Sequence, residues 1–275
     1  MYANAPAVLA PPAIFFSKKE ALLDFPISTG SYEQLLSQLI RMAQTGKSAV
    51  VCVANVHMFV EAHRNRDFKE IMNGADIVTT DGKPLTWGLK ILYGIKQDRV
   101  AGMDLMPDLL SQLCDDKLSV FFYGGTQEML ARTKDFCNEK FPALNVAGMY
   151  SPPFRKLTAE EDQDVVDMIN RSGASIVWVA LGCPKQERWM ISMKGRINAL
   201  MIGIGGALPV MVGMQKRAPL WMQNAGLEWL YRLCQEPKRL FKRYAVTNSM
   251  FILLLAKALV KMKVFRMDLK SRQFG

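Results

Sequence analysis

The sequence predicts an α/β fold: a doubly wound, mainly parallel β-sheet with helices on both faces, followed by a basic helical appendage at the C-terminus. Three observations lead to this prediction. Six short apolar segments alternate with longer segments of helical periodicity. Most of the short segments are nearly continuous in apolar residues, which is typical of strands covered on both faces. The excess of positive charge lies in residues 211–275.

The six apolar segments are the predicted strands of the sheet. They cover residues 49–54, 75–80, 118–123, 144–149, 175–181 and 199–204. Two of the intervening helices are especially clear, at residues 126–140 and 158–171. Thr158 and Glu161 have the spacing of a capping box, in which two side chains satisfy the first free amides of a helix. The second of these helices is therefore predicted to begin there.

The chain has 275 residues, half of them apolar, and can bury one large core. We divide it into a disordered leader (residues 1–20), an α/β domain (21–213) and a basic helical appendage (214–275). The leader begins without Lys or Arg, so it lacks the charged start of a signal peptide. The apolar segment 250–256 stops at Lys257, well short of the ~20 residues that a spanning helix needs. We expect no transmembrane helix.

The cysteines and acidic residues point away from disulfides and metals. The five cysteines are odd in number and widely separated, which does not fit a disulfide framework and favours a reducing compartment. Asp162-Gln163-Asp164 has the form of a D-x-D metal motif, but it lies in the first turn of a predicted helix, where acids favour the helix dipole. No His, Cys and carboxylate cluster has metal-ligand spacing. We expect no metal and no other cofactor.

Polar residues and glycines follow several of the predicted strands. In parallel sheets the carboxyl ends of the strands share one edge, and ligands bind there. We therefore expect a binding site formed by these strand ends: Asn55, Asp81, Gly124-Gly125, residues 181–187 and residues 203–206.

Asp81 directly follows an apolar strand and precedes Gly82. Two interpretations are open. The carboxylate either caps the helix that begins near Lys83, or acts as a general base that takes a proton from a hydroxyl group. His57 and His63 are competing bases, but both lie in a segment of helical pattern, where a packing role is more common.

Two glycine-rich turns, at residues 124–125 and 203–206, each end a strand and open a helix. Such turns let backbone amides approach a diphosphate. The second turn does not complete G-x-G-x-x-G, because Leu208 takes the last position, and no acidic residue follows for a ribose. A dinucleotide-dependent oxidoreductase is therefore disfavoured.

Residues 211–275 carry 13 basic and three acidic side chains, which accounts for the whole net charge of +10. From Pro237 onward the basic residues are interleaved with large apolar ones, as in a helix that lies in a membrane interface. The alternative is a surface helix docked on the core. No nucleic-acid-binding motif is present, so we expect an anionic membrane surface rather than nucleic acid as the partner.

A series of motifs resembles the WecG/TagA/CpsF family of bacterial glycosyltransferases (glycosyltransferase family 26). The resemblance extends over roughly residues 48–245, and the ordered series is distinctive where one motif would mean little. The motifs are Ala54-Asn55, Ala75-Asp76 with Asp81-Gly82, residues 99–105, residues 122–125, residues 181–187, Arg217-Ala218-Pro219, residues 227–229 with 231–233, and residues 237–240 with Arg243-Tyr244.

The resemblance implies a Rossmann-like catalytic domain and an inverting, metal-independent hexosyltransferase. It implies a UDP-sugar donor, such as UDP-N-acetylmannosamine, and an acceptor sugar carried on a polyprenyl diphosphate, in the synthesis of a cell-surface polysaccharide. It also implies a peripheral protein on the cytoplasmic face of the inner membrane, bound through its C-terminal tail, and a homo-oligomer is compatible with it.

The resemblance further assigns roles to individual residues. Asp81 matches the proposed general base, while Arg232 and Arg239 match arginines that the appendage brings over the active site. Substrate-binding positions implied in the same way are Asn55, Asp104, Gly124, Gly125, Lys185, Gln186, Glu187, Gly205, Arg217, Lys242 and Arg243.

Leu208-Pro209 stands where family members commonly carry Phe-Asp, and a threonine often found after the first strand is absent around Val53-Ala54. The donor therefore stays open between an N-acetylated sugar and glucose. A non-catalytic scaffold of the same fold, binding lipid or another polyanion through its basic tail, is the alternative to the enzyme.

Overall fold

The computed structural model describes residues 18–265. Most of the expected leader (residues 1–17) and the last basic residues, Arg266, Lys270 and Arg272, lie outside this range. Residues 18–20 were assigned to the leader but belong to strand β1 (Lys18–Leu22). The expected boundary at residue 20 is therefore too late, because β1 pairs with the strand that follows it.

Strands β1 and β2 (Phe25–Thr29) form an antiparallel hairpin that the sequence analysis did not predict. Its two-residue turn, Leu23-Asp24, has positive φ at both positions, the geometry that matches the twist of paired strands. Leucine is unusual in such a turn, so the usual glycine or asparagine signal is missing. The hairpin packs beside the main sheet, where Ser28 Oγ accepts a hydrogen bond from Val78 N at 3.1 Å.

The main sheet confirms the predicted doubly wound architecture. It has six strands in the order β4-β3-β8-β7-β5-β6, and every neighbouring pair is parallel. All six predicted strands are present, within two residues of the expected bounds: β3 (Ala49–Ala54), β4 (Ile77–Thr80), β5 (Ser119–Gly124), β6 (Asn145–Tyr150), β7 (Ile176–Ala180) and β8 (Leu200–Gly203).

Helices cover both faces of this sheet, and two apolar cores fill the space between sheet and helices. The predicted capping box of Thr158 and Glu161 is confirmed at the start of α7. The helices are α1 (Tyr32–Gln44), α2 (Val56–Arg64), α3 (Arg66–Gly74), α4 (Lys83–Tyr93), α5 (Gly102–Asp115), α6 (Gln127–Lys140), α7 (Ala159–Ser172), α8 (Lys185–Met193), α9 (Leu208–Met211), α10 (Leu220–Asn224), α11 (Glu228–Gln235) and α12 (Pro237–Phe265).

The appendage consists of α10, α11 and the long helix α12. One face of α12 packs on α2 and α4, and the Phe251 ring meets the Phe59 ring edge-on at 5.2 Å. The buried positions of α12 form a single stripe: Leu240, Thr247, Phe251 and Ala258. The docked surface helix that the sequence left as an alternative is therefore present.

The opposite face of α12 is exposed and apolar around Ile252, Leu253 and Val260. Within the described chain, Pro237–Lys263 is one helix long enough and apolar enough to cross a membrane, judged by length and composition alone. Lys257 interrupts the apolar segment as expected, but the apolar residues on both sides keep the mean hydropathy of the helix high. The expected absence of a transmembrane helix therefore stays a prediction.

Candidate functional site

A cleft of about 710 Å³ opens at the carboxyl ends of β3, β4, β7 and β8. The sheet side of this cleft is lined by residues that follow these strands, among them Asn55, Asp81, Leu181 and Gly205. Helices α11 and α12 form the facing wall. Polar strand ends therefore meet at one edge, as predicted, and the appendage completes the enclosure.

Asp81 lies in this cleft and is partly exposed to it. Its amide N–H donates to Ala54 O at 2.6 Å, which ties the end of β4 to the end of β3. The N-cap residue of α4 is Gly82, and no side chain caps that helix. The capping interpretation of Asp81 is therefore wrong, and its carboxyl group is available to a substrate.

Desolvation is the largest cause that raises the pKa of Asp81, from 3.8 to about 7. The neighbouring charge of Glu228 raises it further, whereas Arg232 and Arg99 lower it. A carboxyl group with a pKa near 7 is about half charged at neutral pH, and its charged form is a stronger base than an ordinary carboxylate. Asp81 thus has the protonation behaviour of a general base.

The arginines of the appendage face Asp81 across the cleft. The guanidinium of Arg232 lies over the Gly205-Gly206 turn, so close that a Cβ on Gly206 would be 2.5 Å from Arg232 Nη2. Arg239 pairs with Glu236, and both line the cleft. Arg243 lines the cleft too, while Lys242 is exposed and is not among the lining residues. Lys242 and Arg243 were both predicted to bind substrate, and the structure brings Arg243 to the cleft.

Asn55 lines the cleft but also has a structural role. Its Oδ1 accepts hydrogen bonds from His57 N at 3.0 Å and Met58 N at 3.3 Å, so it is the N-cap of α2. The carbonyl oxygen of this side chain is therefore committed to the helix. Any contact from the Asn55 side chain to a substrate falls to its amide nitrogen.

Gln186 and Glu187 do not line the cleft, contrary to expectation. Both are buried in the first turn of α8, and Gln186 Nε2 donates to Glu187 Oε1 at 2.7 Å. Gln186 packs beneath the glycine turn after β8, where a Cβ on Gly203 would be 2.8 Å from Gln186 Nε2. Helical geometry points Lys185 outward into the cleft and these two side chains inward. They support the site from below.

The glycine turn at Gly124-Gly125 also lies outside the lining. Both glycines have positive φ, and a Cβ on Gly125 would be 2.8 Å from Met129 Sδ. Met129 of α6 covers this turn and lines the cleft in its place. The Gly125 amide donates to Ala180 O at 3.2 Å, so it is already used at the end of β7.

Asp104 and Arg217 were predicted to bind substrate, but they pair with each other. They belong to a network in which Arg99 binds Asp104 at 2.7 Å and Glu228 at 3.1 Å, and Arg217 approaches Glu228 at 3.8 Å. Arg99 and Glu228 line the cleft, whereas Asp104 and Arg217 lie behind it. The predicted pair is thus a support for the cleft wall.

Several cleft residues were not among the predicted site residues. Glu228 and Arg99 stood in the motifs quoted above but received no role. His57 was interpreted as a packing residue, yet it lines the cleft; burial first, and then the charge of Arg243, lower its pKa to about 4. It is therefore neutral at physiological pH. His63 is not in the lining and stacks on Phe59 at 5.2 Å, as a packing residue does.

Within the described residues, no group of three or more His, Cys, Asp or Glu side chains is arranged to hold a metal ion. The cysteines in this range, including Cys183 in the cleft, are all free thiols. Burial raises the pKa of the Cys183 thiol well above its usual range, which keeps it protonated and weakly nucleophilic. The titratable group best suited to proton transfer in this cleft is Asp81.

Two comparisons show which known proteins the chain resembles. A protein of Bacillus spizizenii named N-acetylglucosaminyldiphosphoundecaprenol N-acetyl-beta-D-mannosaminyltransferase is 34% identical over 194 residues, which are 70% of this chain and 74% of that protein. Residues 20–264 match the Glycosyl transferase WecG/TagA/CpsF family, a span that includes Asp81, Glu228 and the cleft arginines. The chain therefore belongs to the WecG/TagA/CpsF family of glycosyl transferases.

Proposed function

We propose that this protein transfers a hexose, N-acetylmannosamine or glucose, from a UDP-sugar to a sugar carried on a polyprenyl diphosphate, with inversion and without a metal. The observation that carries the proposal is that Asp81 and the appendage arginines line the same cleft. A base and a set of cations on opposite walls suit the two ends of a displacement reaction. The acceptor hydroxyl needs a base, and the departing diphosphate needs positive charge.

In the proposed reaction, the acceptor hydroxyl oxygen forms a bond to the anomeric carbon of the donor while its proton passes to the Asp81 carboxylate. The bond between the anomeric carbon and the β-phosphate oxygen breaks, and its electron pair leaves with UDP. Attack from the face opposite the leaving group inverts the anomeric carbon. Asp81 then returns its proton to solvent.

Negative charge grows on the β-phosphate as the bond breaks, and three arginines in the cleft can stabilise it. Arg232 lies over the Gly205-Gly206 turn, and Arg239 and Arg243 line the same wall. Guanidinium groups bind phosphate oxygens in a bidentate manner and remain charged at all physiological pH values. They take the part that Mg²⁺ plays in metal-dependent transferases, which supports metal-independent chemistry.

The donor and acceptor follow from the relative's name as proposals. That name describes transfer of N-acetyl-β-mannosamine to N-acetylglucosaminyl-diphosphoundecaprenol, so the corresponding pair is UDP-N-acetylmannosamine with a lipid-linked N-acetylglucosamine. A β-linked product from an α-linked nucleotide sugar requires inversion. UDP-glucose stays the alternative donor, since Pro209 in the cleft replaces a polar residue common in the family.

A lipid-linked acceptor calls for association with a membrane surface. Helix α12 supports this through its exposed apolar face and the surrounding lysines, including Lys238, Lys242 and Lys257. UDP-sugars and free cysteines both fit the cytoplasmic side. We therefore propose peripheral binding at the cytoplasmic face, through the exposed side of α12.

A donor screen tests the proposal. Purified protein is mixed with a short-chain prenyl diphosphate carrying N-acetylglucosamine and, in turn, with UDP-N-acetylmannosamine, UDP-glucose and UDP-N-acetylglucosamine. The expected result is a disaccharide-lipid of the appropriate mass from one donor, with a β-linkage shown by NMR. A raised melting temperature with UDP, but no transfer from any donor, would favour a non-catalytic binding protein instead.

A further inference from the structure

Four side chains of alternating charge join the catalytic domain to the appendage. Arg99 precedes α5, Asp104 lies in its first turn, Arg217 precedes α10, and Glu228 begins α11. Arg99 donates to Asp104 at 2.7 Å and to Glu228 at 3.1 Å, and Arg217 contacts the same two carboxylates. Each arginine is thus shared between two acids, and the four form a closed ring.

This ring is better shielded from water than an ordinary surface ion pair. The side chains of Arg99 and Glu228 are only 17% and 16% exposed. Ion pairs in such surroundings are weakly screened, and removing one partner leaves an uncompensated charge. The ring therefore fixes the orientation of both arginines strongly.

The ring lies near Asp81. Val100, which follows Arg99, donates its amide N–H to Thr80 O at 2.8 Å, and Thr80 directly precedes Asp81. Asp81, Arg99 and Glu228 also line the same cleft. The charged or titratable groups that act on the Asp81 carboxyl are Glu228 and Arg232 of α11, Arg99 before α5 and Asp104 within it, with Tyr244 of α12 also coupled to it. Although two of these are arginines, Asp81 makes no ion pair among the described residues. Arg99 is instead occupied by Asp104 and Glu228. An arginine released from the ring would have a carboxylate nearby to bind.

Glu228 also shares a helix face with Arg232, one turn further along α11, and both line the cleft. Anchoring Glu228 to Arg99 and Arg217 fixes the rotation of α11, which keeps the Arg232 guanidinium over Gly206. Glu228 therefore affects both the proposed base, Asp81, and a cation proposed to stabilise the leaving group, Arg232.

We propose that Glu228 is a positioning residue of the transfer reaction: by holding Arg99 and Arg217, it keeps Arg99 from pairing with Asp81 and holds Arg232 over the glycine turn. This inference rests on the proposed function, in which Asp81 is the base. The appendage then does more than supply arginines. Docking of α11 brings in the Glu228 carboxylate, which binds Arg99 and so leaves Asp81 free to accept a proton.

The test compares pH profiles of kcat/KM in wild type, Glu228→Gln, Glu228→Asp and Glu70→Gln. Glutamine keeps the shape but loses the charge, so Arg99 turns toward Asp81 and the acid limb of the profile moves to lower pH. We also expect kcat to fall by about tenfold or more, because the base is weakened. Aspartate keeps the charge and should hold the acid limb near the wild-type position. Glu70 pairs with Arg66 on the exposed surface of α3 and is the matched control.

The proposal would be overturned if the acid limb of the kcat/KM profile were the same in wild type and Glu228→Gln. It would also be overturned if Glu228→Asp shifted that limb as far as Glu228→Gln does. If Glu228→Gln does not fold, Arg99→Gln decides the question. Loss of that positive charge should move the acid limb to higher pH, and a limb that stays in place or moves down would contradict the proposal.

NMR titration of the ¹³C-labelled Asp81 carboxyl group separates this inference from the proposed function. A wild type inactive with every donor would refute the proposed function, while the titration still reports the effect of Glu228 on Asp81. An unchanged Asp81 titration in Glu228→Gln would refute the inference even in an active enzyme.

Discussion

Arg232 of the appendage covers Gly206 of the catalytic domain at a distance that leaves no room for a side chain: a Cβ at Gly206 would lie 2.5 Å from Arg232 Nη2 and 3.4 Å from its Cζ. The backbone of Gly206 is not in the positive φ range, so alanine is conformationally allowed there. Glycine at this position is therefore explained by the guanidinium above it. The contact joins the two parts of the protein at the place where we propose that the diphosphate leaves.

Gly206→Ala should displace Arg232 with little loss of stability, because the far end of a flexible side chain can move. We expect kcat to fall by about 10-fold to 10²-fold, approaching the loss seen when one charge-stabilising donor is removed from an active site. Steady-state kinetics and thermal unfolding are the measurements. Gly74→Ala, which meets only Ile191 at an ordinary 3.5 Å, is the control and should leave both unchanged. A Gly206→Ala variant with wild-type kcat would show that the position of Arg232 is unimportant.

The raised pKa of Asp81 predicts the pH dependence of transfer. A base must be deprotonated to act, so kcat/KM should rise with pH and level off above about 7, where this pKa lies. Desolvation is its main cause, and the group binds its proton more tightly folded than unfolded. Its contribution to stability should therefore decrease as pH rises from about 4 to 7. A rate profile flat between pH 5 and 8 would rule Asp81 out as the titrating base.

The exposed face of α12 can be altered without disturbing its docked face. Ile252→Ser, Leu253→Ser and Val260→Ser together remove apolar side chains that are each more than half exposed. We expect unchanged thermal stability but weaker sedimentation with anionic vesicles, since each inserted side chain contributes about 1 kcal/mol or more to adsorption.

Phe154→Ser is the matched control, because Phe154 is 90% exposed in the loop before α7 and lies outside residues 214–275. Raising the ionic strength should weaken adsorption of the wild type by screening the lysines, while sparing the apolar share. Equal sedimentation of the triple variant and wild type at both ionic strengths would mean that α12 only packs on the core. Truncation after Thr247 is a poorer test, because it would also remove Phe251 from the core.

Treatment with EDTA should leave transfer intact if the appendage arginines alone stabilise the departing UDP. The measurement is the initial rate before and after chelation and dialysis, with a metal-dependent transferase treated in parallel to show that chelation worked. Activity that disappears with EDTA and returns with Mg²⁺ or Mn²⁺ would show that a metal ion, and not the arginines alone, stabilises the departing UDP.

Most of the main sheet could be predicted from the sequence because five of its strands are almost wholly buried and therefore read as nearly continuous apolar segments. The edge strand β6 is only partly buried. The hairpin β1–β2 was not found in this way, since its turn at Leu23-Asp24 has no glycine and the first three residues of β1, Lys18 to Glu20, are charged. The docking of α12 was also hard to predict. A helix with one buried stripe and one exposed apolar face has too little contrast between its two sides for periodicity to reveal which side packs.

Site residues were predictable where position along a strand decides their direction. Asp81 and Asn55 directly follow strands, and both line the cleft. Gln186 and Glu187 also follow a strand, but they lie in the first turn of a helix, where a rotation by one residue separates the exposed Lys185 from the buried pair. The ring around Glu228 joins residues 129 positions apart in the chain, and no local pattern reports such a contact.

The most direct test of the account is single-turnover transfer by Asp81→Asn with saturating donor. Asparagine keeps the shape and cannot take the proton, so we expect the transfer rate to fall by about 10²-fold or more while UDP affinity, measured by calorimetry, stays near that of the wild type. Asp164→Asn, on the exposed surface of α7, should transfer at the wild-type rate. Near wild-type transfer by Asp81→Asn would contradict the account, since the base would then have to be another group.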